Sequence, residues 1–144
     1  MAKMVRDAMT ANPRTAHPAQ SLADAAQIMQ SEDVGSVPVV EDGRLVGVLT
    51  DRDIAIRAVA EGVDVQTLNV GDVASREPVT VEPGQDLDEA LALMARHQVR
   101  RLPVVDDGQL VGILAQADVA IEVKEKKAGE VLEEISKRGS SGQA

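Results

Sequence analysis

The fold is decided by residues 34–53, which read VGSVPVVEDGRLVGVLTDRD. Two β-branched runs lie on either side of a short acidic loop that ends at Gly43, and glycine readily adopts the positive φ angle of a tight hairpin turn. This pattern predicts a β-hairpin. A helix is predicted to follow at once, because Asp51 and Asp53 supply the acidic side chains typical of a first helical turn.

The same pattern occurs twice in the chain. A shift of 65 positions aligns residues 5–57 with residues 70–122 without a gap, and about 22 of the 53 paired residues are identical. In the second copy Asp118 matches Asp53, whereas Ala115 stands where the first copy has Thr50. The chain is therefore a tandem repeat in which the second copy lacks a hydroxyl close to the shared aspartate.

Each copy also contains a predicted helix ahead of the hairpin. The helix begins at Ser21 or Asp86, whose side-chain oxygens can accept hydrogen bonds from the first-turn N–H groups, and an acid follows three positions later as in a capping box. Apolar residues recur at helical spacing behind both starts, which indicates a buried face. Short strands are predicted before these helices, at residues 14–16 and 79–81.

The predicted order in each copy is strand, helix, strand, strand, helix, which defines an α/β (α+β) unit. One copy alone would leave an apolar sheet face in water, so we expect the two copies to pack sheet against sheet around one core as a pseudo-twofold pair. The expected segments are, in order, repeat 1 at 4–60, a linker at 61–69, repeat 2 at 70–122, an amphipathic helix at 123–138 and a disordered tail at 139–144.

Composition limits the classes of partner. The formal net charge is -9 and the chain contains no Phe, Tyr or Trp, so neither phosphate neutralisation nor base stacking supports nucleic-acid binding. No apolar run approaches the ~20 residues that cross a bilayer, and no secretory signal is evident at the start. We therefore expect a cytoplasmic protein with no membrane or nucleic-acid partner. The chain has no cysteine, which excludes disulfides and thiolate chemistry.

The repeat unit resembles the CBS domain in its order of elements, in its PVV-acidic-Gly-LVG hairpin and in its ending Gly-apolar-apolar-Thr-x-x-Asp. Two such units in tandem resemble a CBS pair, or Bateman module. The resemblance covers about residues 4–122 and extends to small stand-alone bacterial proteins of this kind. It implies a regulatory module that requires no cofactor and binds AMP, ADP, ATP or S-adenosylmethionine in the cleft between the repeats. It also implies a homodimer, a flat disc with exposed faces of the repeat helices at its interface.

The resemblance further implies roles for individual residues. In the family the hydroxyl and the aspartate of the motif hold phosphate and ribose, and these positions are Thr50 and Asp53 in the first copy. One carboxylate can accept charge-assisted hydrogen bonds from both ribose hydroxyls, and arginine forks suit phosphate geometry. The second copy keeps Asp118 but has Ala115, which predicts that the cleft with Thr50 and Asp53 is the better nucleotide site.

Two candidate ligand sites follow from these roles and from the aliphatic walls that an adenine slot needs. The first comprises Val48, Thr50, Arg52, Asp53, Val79, Val99, Arg100 and Arg101. The second comprises Arg14, Val34, Ser36, Ile113 and Asp118. Alternatives stay open, since Asp53 can be an ordinary acid of a first helical turn and Arg100 with Arg101 can be a solvent-exposed pair.

Other functions find less support in the residues. His17 and His97 are not repeat-equivalent and have no partner at metal-ligand spacing, so no metal site is expected. No nucleophile elbow or Walker-type loop occurs, so we expect no catalytic activity. The alternative function is a ligand-free structural or interaction protein that contacts a partner through the dimer surface or the C-terminal helix.

Overall fold

The computed structural model describes residues 3–122. Repeat 1 contains α1 (Val5–Ala8), β1 (Thr10–Ala11), α2 (Leu22–Glu32), β2 (Ser36–Glu41), β3 (Arg44–Thr50) and α3 (Asp51–Ile54), which continues into a π-helical turn at Ala55–Val59. Repeat 2 contains α4 (Val70–Val73), α5 (Leu87–His97), β4 (Arg101–Asp106), β5 (Gln109–Ala115) and α6 over residues 116–122. The predicted α+β class and tandem architecture are confirmed.

Both predicted hairpins form, and their turns explain why. β2 pairs with β3 and β4 pairs with β5, antiparallel in each case. In the first turn Asp42 and Gly43 have φ angles of 53° and 80°, and in the second Asp107 and Gly108 have 51° and 80°. Two successive residues with positive φ define the type I′ turn, whose twist matches that of the strands it joins.

The N-terminal caps of the two long helices differ. The Ser21 hydroxyl accepts a hydrogen bond from the Asp24 backbone N–H at 3.1 Å, as predicted for α2. Asp86 makes no such side-chain bond at the start of α5, so that part of the prediction is wrong. Both helices nevertheless end in the same way, since Asp33 and Gln98 each have a left-handed φ of 54°.

The short strands predicted before these helices are reduced to single bridges. Ala16 and Val81 each form one isolated parallel bridge to the hairpin of their own repeat. At Ala16 the bridge consists of two backbone hydrogen bonds of 2.9 and 2.8 Å. The pairing does not extend because Pro18 and Pro83, two positions further on, have no N–H to donate.

The two repeats exchange their first helices. Helix α1 of repeat 1 packs on the core of repeat 2, where Val5 has 0% exposure, and α4 of repeat 2 packs on the core of repeat 1, where Val70 has 0% exposure. The chain two residues after each short helix also pairs with the other repeat, as Thr10 does with Ile113 in β5 and Ser75 does with Val48 in β3. Each repeat is therefore completed by a segment of its twin.

Two hydrophobic cores result, and the expectation of a single core is wrong for the described residues. One core includes Leu22 and Leu49, and the other includes Leu87 and Leu114. The reason lies in the exchange, because each sheet face is covered by the helices of its own repeat together with one short helix from the other. The repeats share helices and a sheet instead of one core.

The hairpins join at their turns. Arg44, the first residue of β3, pairs with Gln109, the first residue of β5. Reciprocal backbone hydrogen bonds of 3.2 and 3.1 Å run from Leu45 to the Gly108 carbonyl and from Leu110 to the turn of the first hairpin. The five strands consequently form one sheet with the order β1-β5-β3-β2, and β4 pairs with β5.

The helix predicted at 123–138 and the tail predicted at 139–144 lie outside the described residues. Between residues 3 and 122 no helix has the length and apolar character needed to cross a membrane.

Candidate functional site

Each hairpin buries one face and leaves the other uncovered by its own helices. Val37 and Leu49 point into the first core with exposures of 1% and 0%, so their neighbours along the strands lie on the opposite face. The residues on these opposite faces are Ser36, Pro38, Val48 and Thr50 in repeat 1 and Arg101, Pro103, Ile113 and Ala115 in repeat 2.

These two faces line one continuous cleft of about 530 Å³, a volume typical of small-molecule sites. The segments after the exchanged helices extend the lining, with Thr10, Pro13 and Arg14 from repeat 1 and Ser75, Pro78 and Val79 from repeat 2. Most lining residues are aliphatic, and the few polar ones come from both repeats. The cleft therefore combines apolar walls with a small number of hydrogen-bonding and charged groups.

The cleft brings together most residues of both predicted sites. From the first site it contains Val48, Thr50, Val79, Val99 and Arg101, and from the second it contains Arg14, Val34, Ser36, Ile113 and Asp118. Arg52, Asp53 and Arg100 do not line it. Ser36, predicted with the second site, lies directly opposite Thr50 of the first in the β2–β3 register, so the two predicted sites are parts of one cleft.

Asp53 is engaged in the N-terminal cap of α3. The Thr50 hydroxyl accepts a hydrogen bond from the Asp53 backbone N–H at 3.0 Å, and an Asp53 carboxylate oxygen accepts one from the Thr50 N–H at 3.1 Å. The side chain is 14% exposed, and its other oxygen lies 4.0 Å from Arg57 Nε. This reciprocal capping box matches the alternative interpretation of Asp53 as an acid of a first helical turn.

Asp118 occupies the equivalent position in repeat 2 but has different surroundings. Ala115 has no hydroxyl to accept a hydrogen bond from the Asp118 N–H, so a reciprocal box like that of repeat 1 is not formed. Asp118 is half-buried and lines the cleft. Among residues 3–122 its carboxylate has no hydrogen-bond or ion-pair partner. Of the two shared aspartates, only Asp118 lines the cleft that the described residues form.

One ion pair lies at the edge of the cleft. Arg14 Nη1 and Glu32 Oε1 are 3.4 Å apart, and their side chains are 56% and 42% exposed. Sequence reasoning found Arg14 but missed Glu32. A signal was present, because Glu32 ends α2 just before Val34 and Ser36, two residues already predicted to face the ligand.

The remaining predicted candidates lie away from the cleft. Arg52 and Arg100 are exposed. His17 Nδ1 accepts a hydrogen bond from the Ala19 N–H at 3.0 Å, and neither histidine lines the cleft. In the part of the chain that the structure describes, no three His, Asp or Glu side chains are arranged to hold a metal ion.

The fold and the cleft define a class of protein, a tandem-repeat α+β module with a small-molecule cleft between its repeats. The family comparison makes this assignment specific, because the CBS domain matches residues 5–59 and again residues 70–125. The chain belongs to the CBS-domain family and contains a tandem pair of these domains.

Known proteins of similar length share this organisation. CBS domain-containing protein YhcV of Bacillus subtilis is 47% identical over 133 residues, which is 92% of this chain and 94% of YhcV. CBSX2 from Arabidopsis thaliana has been solved in complex with AMP; that structure is 31% identical, has a TM-score of 0.75 and matches 86% of this chain and 98% of its own.

A second solved complex contains two other adenosine compounds. The CBS domain pair of protein MJ0100, in complex with 5′-methylthioadenosine and S-adenosyl-L-methionine, is 28% identical, has a TM-score of 0.76 and matches 88% of this chain and 99% of its own. These structures are CBS-pair proteins with adenosine ligands, and they share the fold described above.

Proposed function

We propose that the chain is a regulatory module that senses an adenosine-containing small molecule bound in the cleft between its repeats. The observation that supports this best is the cleft itself, because both repeats contribute to one cavity of about 530 Å³ that includes Asp118. The AMP complex of CBSX2 and the S-adenosyl-L-methionine complex of MJ0100 support the class of ligand. A cytoplasmic location and the lack of a catalytic role stay predictions from the sequence.

The cleft residues suit an adenosine chemically. A carboxylate such as that of Asp118 can accept hydrogen bonds from both hydroxyls of a ribose, and such charge-assisted bonds are stronger than neutral ones. Val34 and Ile113 supply aliphatic surface on which an adenine ring can pack. Arg101 is half-buried in the lining, where its guanidinium can bind a phosphate.

We also propose that Asp118, and not Asp53, accepts the ribose hydrogen bonds, which reverses the ranking expected from the sequence. The Asp53 carboxylate already accepts the Thr50 N–H at 3.1 Å and is outside the cleft lining. A ligand would have to break the α3 capping box to use it. Thr50 lines the cleft, so its hydroxyl can still donate a hydrogen bond to a ligand.

Thermal melts with AMP, ADP, ATP and S-adenosylmethionine test the ligand class. A ligand present at about one hundred times its Kd adds roughly 2.7 kcal/mol to the free energy of unfolding, which raises the Tm of a domain of this size by about 5–10 °C. We expect such a shift with at least one of the four compounds. Unchanged melting temperatures with all four would contradict the proposal.

Two matched variants test the assigned carboxylate. Asp118→Asn is expected to remove the ligand-induced shift because the neutral amide loses the charge-assisted bonds. Asp106→Asn makes the same change at the exposed end of β4, outside the cleft, and should leave the shift intact. A full shift in Asp118→Asn would show that another group holds the ribose.

We include a homodimer in the proposal. Ile56, Val59 and Ile121 are 49%, 64% and 56% exposed, and Ile56 and Ile121 are equivalent positions of the two repeats. Such repeated apolar patches on α6 and on the π-helical turn after α3 can pair with the same patches of a second copy. Ile56→Asp should give a monomer by sedimentation, whereas Val46→Asp, at a 40% exposed position on β3, should leave the dimer intact.

The second candidate function, a ligand-free interaction protein, rests on the same apolar patches. In that case a different protein covers Ile56 and Ile121, and the cleft stays empty. Unchanged melts with every adenosine compound, together with a monomeric wild-type chain in sedimentation, would favour this candidate over the ligand sensor.

A further inference from the structure

A second cavity, of about 580 Å³, lies where the helix after the first hairpin meets the exchanged segment of repeat 2. One lining residue comes from repeat 1, and the other five belong to α4 or follow it closely. We call this cavity the arginine pocket, and it is lined by Arg57, Gly71, Asp72, Ala74, Ser75 and Arg76. Within residues 3–122, Ser75 is the one lining residue that it shares with the cleft.

The Arg57 guanidinium is held in place at the arginine pocket. Its Nη1 donates a hydrogen bond to the Val73 carbonyl at 2.9 Å, and its Nε lies 4.0 Å from an Asp53 carboxylate oxygen. A guanidinium has five N–H donors, so these two contacts leave others available. The side chain is 54% exposed, and its remaining donors can therefore meet a ligand that enters from solvent.

The carboxylates at the arginine pocket already accept hydrogen bonds, whereas the second arginine is unengaged by any acid. An Asp72 oxygen accepts the Asn69 N–H at 3.3 Å, and an Asp53 oxygen accepts the Thr50 N–H at 3.1 Å. Arg76 is exposed, and no acidic group of the described residues forms an ion pair with it. Most of the groups that remain are donors, so the pocket suits a ligand that is rich in acceptors.

Ser75 adds a hydroxyl to this donor set. Its backbone is fixed by reciprocal hydrogen bonds of 3.0 and 2.9 Å with Val48, and a serine hydroxyl can donate to an anion. The positions equivalent to the two arginines are Glu122 and Ala11, which cannot supply the same donors. The donor set is therefore a feature of one side of the repeat pair and not of the family motif that both copies contain.

We propose that the arginine pocket is a second ligand site, in which Arg57, Arg76 and the Ser75 hydroxyl bind a phosphate group. The planar fork of an arginine matches the spacing of phosphate oxygens, and such charge-assisted hydrogen bonds are stronger than neutral ones. The phosphate can be a free ion or part of a nucleotide in the cleft, since Ser75 lines both cavities. The site does not depend on the proposed binding of adenosine.

An NMR titration of the ¹⁵N-labelled chain with inorganic phosphate, at neutral pH and low ionic strength, tests the site. Saturable chemical-shift changes are expected at the backbone amides of Ser75 and Arg76. Arg76→Gln should weaken phosphate binding by about ten-fold, because it removes a hydrogen bond between charged groups.

The matched control is Arg100→Gln, which removes the same charge from an exposed arginine outside both cavities. It should leave the phosphate affinity nearly unchanged. Arg76 is also exposed, so both variants should fold, and circular dichroism with thermal melts checks this. Equal weakening by the two variants would assign the binding to overall charge and overturn the proposal.

A parallel titration with AMP and ADP identifies the source of the phosphate. If a nucleotide supplies it, ADP should shift the Ser75 and Arg76 amides and lose affinity in Arg76→Gln. If the ligand is a free ion, inorganic phosphate alone should shift these amides.

Two results would contradict the site. One is the absence of saturable shifts at Ser75 and Arg76 with both inorganic phosphate and ADP. The other is a set of phosphate-induced shifts centred on Arg101, which would place the anion in the cleft. Failure of AMP and ADP to bind at all would overturn the adenosine proposal but leave the result with inorganic phosphate intact, so the two proposals can fail separately.

Discussion

The two repeats build the same scaffold and differ at the start of the helix that follows each hairpin. In repeat 1 Thr50 and Asp53 satisfy each other's backbone N–H groups at 3.0 and 3.1 Å. In repeat 2 the hydroxyl is missing at Ala115, and Asp118 lines the cleft instead. The comparison teaches that identical aspartates at equivalent positions can have different surroundings when one neighbouring hydroxyl changes.

The strongest test of this comparison addresses what the repeats share, the exchange of α1 and α4. Val5→Asp and Val70→Asp each place a charge at a position with 0% exposure in the core of the other repeat. Burial of an unpaired charge is expected to lower the free energy of unfolding by roughly 3–5 kcal/mol in each variant. Urea denaturation measures this loss.

Val46→Asp serves as the control, because Val46 is 40% exposed and lies outside both cores. Its free energy of unfolding should change little. The exchange also predicts that both repeats unfold in one transition in all three variants. Two separate transitions, with one repeat surviving the loss of the other, would contradict the mutual dependence of the repeats.

Much of this scaffold is predictable from the sequence because the signals are local. Turns such as Asp42–Gly43 specify the hairpins, and the repeat of 65 positions specifies that there are two. The exchange of α1 and α4 depends on long-range packing, because each short helix has two similar cores on which it could pack. Nothing in the sequence pattern around Val5 or Val70 indicates which core each helix enters.

The cleft residues are predictable for a similar reason, whereas the roles of the aspartates are not. Alternation along β2 and β3 places Thr50 on the cleft face, and the repeat places Ile113 on the matching face. The motif alone suggests that Thr50 strengthens a ligand site beside Asp53. Whether a hydroxyl binds a ligand or caps a helix depends on side-chain conformation, which the sequence pattern does not contain.

The next largest effect concerns the capping box of repeat 1. Thr50→Ala removes the oxygen that accepts the Asp53 N–H, and loss of such a cap lowers the free energy of unfolding by about 0.5–2 kcal/mol. Thr15→Ala, at an exposed position with no such bond, is the control and should be nearly neutral. Equal stability of the two variants in thermal or urea unfolding would show that the box contributes nothing.

Ala115→Thr sharpens the comparison by giving repeat 2 the missing hydroxyl. If the new side chain caps α6 and draws Asp118 into a reciprocal box, stability should rise by about 0.5–1 kcal/mol. AMP affinity should fall about three-fold to ten-fold as the carboxylate leaves the ligand. The control is Ala117→Thr, because residue 117 also lines the cleft but does not occupy the capping position of α6. It tests whether the added side-chain volume alone weakens AMP binding.

Ala115→Thr also distinguishes the ranking expected from the sequence, in which the Asp53 site is better, from the proposed ranking, in which the Asp118 site is better. The sequence motif predicts that a restored Thr at position 115 improves the site, because the family hydroxyl holds phosphate. The observed box in repeat 1 predicts the opposite. Tighter AMP binding in Ala115→Thr, measured by calorimetry, would therefore support the sequence ranking and contradict the proposal that an uncapped Asp118 carboxylate holds the ribose.

The smallest expected effect comes from the side chains near the end of the helix that follows each hairpin. Each of these side chains contacts a segment that the two repeats exchange. In repeat 1 Arg57 Nη1 donates to the Val73 carbonyl of α4 at 2.9 Å, while the equivalent residue in repeat 2 is Glu122, 3.6 Å from Lys3. Arg57→Met should cost about 0.5–1 kcal/mol, because it leaves a helix-end carbonyl without its donor. Lys3→Met breaks only a partly exposed ion pair and should cost less than about 0.5 kcal/mol. Equal losses in urea denaturation would mean that the two ends of the exchange are stabilised alike, and that the asymmetry of the repeats is confined to the cleft.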